Sequence, residues 1–298
     1  MTTFLQLLFA GVSLGAVYAL VALGFTVVYR ASRVINFAQG GLLALGAFFT
    51  SWLVLSAGLP FWAAFLIGAT TTSFVGWAFQ TFVLRWALGR PEFTIVMLTL
   101  GLFTILNSVI PTMFGNNPRS NGDTWGSRAL HSGGVAFFWV QIWTIVAAIA
   151  VLLAYGAFTR FTRYGLAMRS AASDPEAALA VGIPLRRVYA TAWLLAGLVA
   201  CVGGVFVGGY PNSVSPAISD AALLAFPAII LGGLDSPTGA IVGGFLIGIV
   251  QELTQGYQPQ HVSFLGNNFY IIAPYVVMIL VLLVRPYGLF GSRPAERL

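Results

Sequence analysis

Asp174, Pro175, Glu176 and Gly182 fall in one short stretch crowded with arginine, RFTRYGLAMRSAASDPEAALAVGIPLRR, from Arg160 to Arg187. Their types and spacing suit recognition, not bond making. An aspartate can cap the start of a helix, a proline suits the first helical position, and a glycine suits the residue just past the end. The expected product is a helix of about two turns. Arg160, Arg163, Arg169, Arg186 and Arg187 surround it. A segment that only joins two elements needs no cap and stop of its own. A peg that enters another protein's groove does. The plainer alternative is that the arginines only fix the orientation of the chain.

Other chemistry-bearing residues are sparse. All 14 basic residues are arginine, so the sequence holds neither a Walker A lysine nor a Schiff-base lysine. His131 and His261 lie far apart in polar loops, and Cys201 is the single cysteine, inside an apolar run. No metal-ligand spacing, HExxH motif or Ser/His/Asp arrangement appears, which leaves no basis for a membrane-embedded enzyme. The net charge of +6 reads as membrane topology and not as a nucleic-acid footprint.

The elements that must position the peg follow from composition. The chain is 58% hydrophobic and 7% charged, with a mean hydropathy of +0.90, against roughly 25% charged residues in a soluble domain. Lipid must be its solvent. Apolar runs at 3–29, 36–56, 61–84, 93–113, 137–159, 188–209 and 268–284 read as spans. The first run has no basic lead and no cleavage site, so it is expected to remain as a span. The region 221–254 holds two short apolar pieces around Gly232 to Gly239, either a tight turn or a re-entrant pair of half-helices. The expected fold is an all-α polytopic transmembrane bundle of about eight segments, in a single domain, 1–298.

Orientation follows from the arginines. With the 160–187 loop in the cytoplasm, Arg30, Arg33, Arg85, Arg90, Arg285, Arg293 and Arg297 share its side. The N-terminus and the 114–136 loop then lie outside, the C-terminus inside. Only Arg119 and Arg128 fall outside, near Asp123.

A few residues within the apolar runs invite a second reading. Asn36 with Gln39 three residues later resembles a capping box, which alone explains both. The same helix start, with Gly40, could also aim free N–H groups at a solute carboxylate. Gly232, Gly233 and Gly239 suit either close helix packing or a broken helix lining a path. Asp235 is expected at a solvated turn rather than at mid-depth. Asn107 is expected to make a helix–helix hydrogen bond, and Glu252 to reach the outer interface or pair locally.

Several motifs, in order, resemble one family over nearly the whole chain. Leu14–Leu20 with Ala22–Phe25 is similar to the first span of permeases of branched-chain amino acid ABC importers. Ile35–Gly40 is similar to the family's second-span signature, Ile230–Ala240 with Gly243 and Gly244 to its glycine-rich break, and Arg285–Gly291 to its ending. Ala172–Arg187 resembles the cytoplasmic coupling segment. At Leu84-Arg85-Trp86 the chain departs from the family's frequent Glu-Arg pair. The lack of a long extra segment resembles the shorter permease of a heteromeric pair.

The resemblance implies a division of labour. Ser173, Asp174, Pro175, Glu176, Ala177, Ala178 and Gly182, with Arg169 and Arg186, would couple to an ATPase. Two ATPase subunits would carry the ATP and Mg²⁺, and this chain no cofactor. A homologous second permease, or a second copy, would pair with it. A periplasmic binding protein would deliver the solute to a bacterial inner membrane complex working by alternating access. Leucine, isoleucine and valine are the expected solutes. The same machinery for urea, amides or another small solute is the alternative, and a secondary transporter a more distant one.

Overall fold

Apolar, breaker-poor runs become helix almost everywhere. The computed structural model describes residues 2–87, 90–122, 125, 128–132, 135–209, 212–261, 266 and 268–291. Asp123, Arg293 and Arg297 lie outside the described residues, as do the side chains of His131 and His261. Helix α1 spans Thr2–Ser32, α2 Gln39–Leu55, α3 Phe61–Phe82 and α4 Glu92–Phe114. After a β-hairpin come α5 Trp139–Phe161, α6 Arg163–Ser173, α7 Pro175–Ala180 and α8 Leu185–Val207. A 3-10 turn at Pro216–Asp220 leads into α9 Ala221–Leu224 and α10 Phe226–Gly232. Helices α11 Pro237–His261 and α12 Phe269–Val284 end the bundle.

Among the described residues, six helices are long and apolar enough to cross a membrane: α1, α3, α4, α5, α8 and α11. Three shorter apolar segments, 39–55, 216–232 and 269–284, accompany them.

The axis is α1. From Ala16 to Leu23 no side chain is more than 5% exposed. Helix α11 runs antiparallel to it, because Gly11 meets Ile249, Gly15 meets Phe245, and Ala19 meets Gly244. A Cβ built on Gly15 would stand 2.7 Å from the Phe245 Cα, so only glycine permits this approach. Small residues at helix crossings serve this purpose in lipid, where apolar side chains gain nothing by leaving the solvent. Helix α8 packs likewise on α3, where a Cβ on Gly76 would lie 2.7 Å from the Trp193 carbonyl oxygen.

The fold is not wholly helical. Within the polar loop after α4, β1 Ala129–Ser132 pairs antiparallel with β2 Val135–Phe138, in the register Ala129 to Phe138. The 114–136 stretch, expected from its composition to be an extramembrane loop, carries most of this hairpin. Its composition, rich in Gly, Asn and Ser, hides the short β-prone run VAFF. Trp125 anchors this loop to the bundle. It is 5% exposed and stacks on Trp143 and Phe206 at centroid distances of 5.8 and 5.9 Å. Arg119 pairs by backbone with Val214, joining this loop to the segment after α8 at the same end.

Candidate functional site

The opposite end gathers the charged segments. Thr162 caps α6 by accepting from Gly165 N at 3.0 Å. Asp174 ends α6 and starts α7: its Oδ1 accepts from Glu176 N at 2.9 Å and Ala177 N at 3.0 Å. Pro175 stands at the first position of α7, as expected. Gly182 has φ +84° and closes the helix. Gly182 N donates to Leu179 O and Ile183 N to Ala178 O, both at 2.9 Å, the paired bonds of a Schellman stop.

What the sequence did not suggest is α6. The 160–187 stretch is two helices in series, because TRYGLAMRSAAS contains a cap and no breaker. The pair is tied down at few points. Ala178 is buried, and Arg33 Nη2 donates to Ala172 O at 3.2 Å, linking α6 to the chain just past α1. Ser173, Pro175, Glu176, Ala177, Arg169 and Arg186 are exposed. So are two aliphatic side chains of this tip, Leu179 at 56% and Val181 at 76%.

Other segments converge on this end. Arg30 shares a cavity of about 520 Å³ with Tyr155, Thr159 and Asp235. Asp235 therefore sits in the turn between α10 and α11, as expected, and that turn meets the end of α1. The tail folds back here: Leu289 N donates to Leu231 O at 2.7 Å and Phe290 N to Gly232 O at 3.1 Å. Arg90 and Glu92 line a further cavity with Ser32 and Val34. Gly232, Gly233 and Gly239 are buried here, where α10, α11 and the tail meet. Gly232 and Gly239 touch backbone to backbone, which fits the close-packing reading.

The second region lies deep in the bundle, where two chain breaks meet. After α1 the chain turns back inward before α2 begins, so the start of α2 touches Gly24 of α1 and Ala196 of α8. Asn36 and Gln39 are fully buried. The capping-box expectation is corrected in detail, since the residue preceding α2 is Ala38, not Asn36. Asn36 Oδ1 accepts from Ala38 N at 3.0 Å and its Nδ2 donates to Gln39 Oε1 at 3.2 Å. Gln39 Nε2 in turn donates to Ala196 O at 3.3 Å, so the pair stitches α2 to α8. Gly40 packs on the Ser219 carbonyl, which brings the 3-10 turn of Pro216–Asp220 alongside the first turn of α2. Phe226 stacks on Phe37 at 6.1 Å and meets Phe25 edge-on at 5.7 Å.

Beside this junction lies a cavity of about 380 Å³, lined by Ala44, Asn107, Ile110, Pro111, Pro216, Ala217, Ser219 and Asp220. The Asn107 side chain is not bonded across helices, contrary to expectation: it makes no hydrogen bond among the described residues and faces this cavity. In the sequence Asp220 falls among the polar residues between α8 and α9. Its signal was faint, a single carboxylate after Pro216, and only the inward path of the backbone reveals its depth.

Residues 7–283 match the model of a family described as branched-chain amino acid transport system, permease component. A high-affinity branched-chain amino acid transport permease of Salmonella typhimurium, LivH, is 30% identical over 99% of this chain and 97% of its own length. The Pseudomonas aeruginosa permease BraD is 27% identical over 99% of this chain and 98% of its own. LivM of Escherichia coli is 26% identical, covering 96% of this chain and 71% of its own.

Proposed function

The chain belongs to the family of branched-chain amino acid transport permeases, and we propose from that premise that α6–α7 is the peg through which partner ATPases drive it. It is a transport component and not an enzyme. The solutes are leucine, isoleucine and valine, received from a periplasmic binding protein. Two ATPase subunits bind beneath the charged end, and a homologous permease of the LivM kind completes the pore in the bacterial inner membrane. The end carrying Arg30, Arg33, Arg90 and the α6–α7 pair is cytoplasmic, and the hairpin end faces the periplasm.

One observation carries this reading. Leu179 and Val181 stand 56% and 76% exposed at the tip of a helix with its own cap and stop, and the helices on either side of it carry exposed Arg169, Arg186 and Arg187. An apolar tip fixed in shape by Asp174 and Gly182, with exposed arginines on the flanking helices, suits an apolar groove with acidic groups nearby. Closing of the ATPases would pull this tip and, through Thr162 and Leu185, the ends of α5 and α8.

The test is co-purification from membranes. Leu179→Asp with Val181→Asp should release the ATPase subunits and abolish leucine uptake, with the permease still inserted at wild-type level. Gly182→Pro should act in the same direction, because proline cannot take the positive φ found there. Normal uptake by both variants would sink the coupling assignment.

A further inference from the structure

We propose that Asp220 and Asn107 form a subsite for the primary ammonium group of an aliphatic amino acid, in an open cavity on the face of the bundle. The inference rests on the permease reading above, and it assigns the solute contact to residues that the candidate path through Asn36, Gln39 and Gly40 does not include. Two features and one physical cost point to it. Asp220 is an exposed carboxylate, and among the described residues it has neither a hydrogen-bond nor an ion-pair partner. It does not lie at a membrane surface, because it shares its cavity with Ala44, in the second turn of α2, and with Asn107, about two turns in from the end of α4. An ionisable group held at such depth is costly unless it faces water or a charged ligand.

The rest of the lining sorts by chemistry. Asn107 offers an amide oxygen that can accept from an ammonium, beside the Asp220 carboxylate. Ser219 is committed elsewhere, its hydroxyl donating to Pro216 O at 3.0 Å. Ala44, Ile110, Pro111 and Pro216 supply apolar wall. One carboxylate and one amide on an otherwise apolar cavity of about 380 Å³ is the pattern of a small-ligand site, with room for a branched aliphatic chain next to the charged group. A neutral amide such as urea gains no ion pair here, so the same cavity favours amino acids over that alternative solute. The binding is non-covalent, through a charge-assisted hydrogen bond.

The experiment has two arms, both on the assembled transporter in proteoliposomes. In the first, Ala217, exposed in the same cavity, is replaced by cysteine. Cys201 is fully buried and gives no background labelling. Reaction rates with 2-aminoethyl and 2-sulfonatoethyl methanethiosulfonate are compared, each relative to a free thiol. The cationic reagent should be preferred by about tenfold or more, and Asp220→Asn should remove that preference. Equal rates for both reagents, or a preference that persists in Asp220→Asn, would overturn the proposal. In the second arm, Asp220→Asn should lower leucine uptake about tenfold or more while the ATPase subunits still co-purify, and Asp220→Glu should restore most of it. Wild-type uptake by Asp220→Asn would also overturn it. If the unmodified complex moves no leucine, the permease reading fails at that step, and the thiol arm still decides whether this cavity is wet and selects cations.

Discussion

Asp174 shows what a single side chain does for this protein. Its carboxylate accepts from Glu176 N and Ala177 N, two donors that otherwise have no partner at a helix start. Asp174→Ala should cost α7 about 1 kcal/mol, and Asp174→Asn far less. Hydrogen exchange at the Glu176 and Ala177 amides checks this: faster exchange is expected in the alanine variant and near-normal exchange in the asparagine one. These residues were legible from sequence because capping is local chemistry. Asp174, Pro175 and Gly182 act on neighbours within three residues. Asn36 was half legible, since its side chain does turn the chain into α2, but from two residues before the cap position. Asp220 and Asn107 were legible only as polar residues, one after Pro216 and one within an apolar run. Their meaning depends on a turn between distant helices, and nothing in the surrounding residues records it.

Helices were easy to see and their contacts were not. The starts of α3 at Phe61, α4 at Glu92 and α12 at Phe269 lie within one residue of the apolar boundaries, because the change from loop to lipid is abrupt in composition. The crossing of α1 and α11 was only half visible. In the sequence Gly11 and Gly15, one helical turn apart, mark a face open to close approach, but nothing there names the partner. The contact predicts a sharp asymmetry between glycines. Gly15→Leu or Gly244→Leu drives a side chain into a facing backbone, and either should abolish a monodisperse peak in size-exclusion chromatography. Gly156→Ala meets nothing within 4 Å and should behave as wild type. Helix α6 escaped notice for the opposite reason, since its charge made it look like loop although its backbone had every reason to coil.

Across the whole molecule, charge divides the two ends. Arg30, Arg33, Arg90, Asp235, α6–α7 and the folded-back tail collect at one, the hairpin and Trp125 at the other. Cysteine scanning reads this division directly. In spheroplasts a membrane-impermeant maleimide should label Asn117→Cys and spare Val181→Cys, both exposed positions. Inverted vesicles stripped of the ATPase subunits that cover Val181 should give the reverse pattern. The same label on both positions from one side would contradict the assigned orientation.

The inward start of α2 carries a consequence for how the chain is made. This helix leaves the ribosome early, yet Gln39, Leu43 and Gly46 rest on Ala196, Gly204 and Cys201 of α8, which is synthesised much later. Until α8 arrives, the buried amides of Asn36 and Gln39 lack their final neighbours. The nascent protein must therefore hold its second helix in a provisional place, and truncation anywhere before α8 leaves it there.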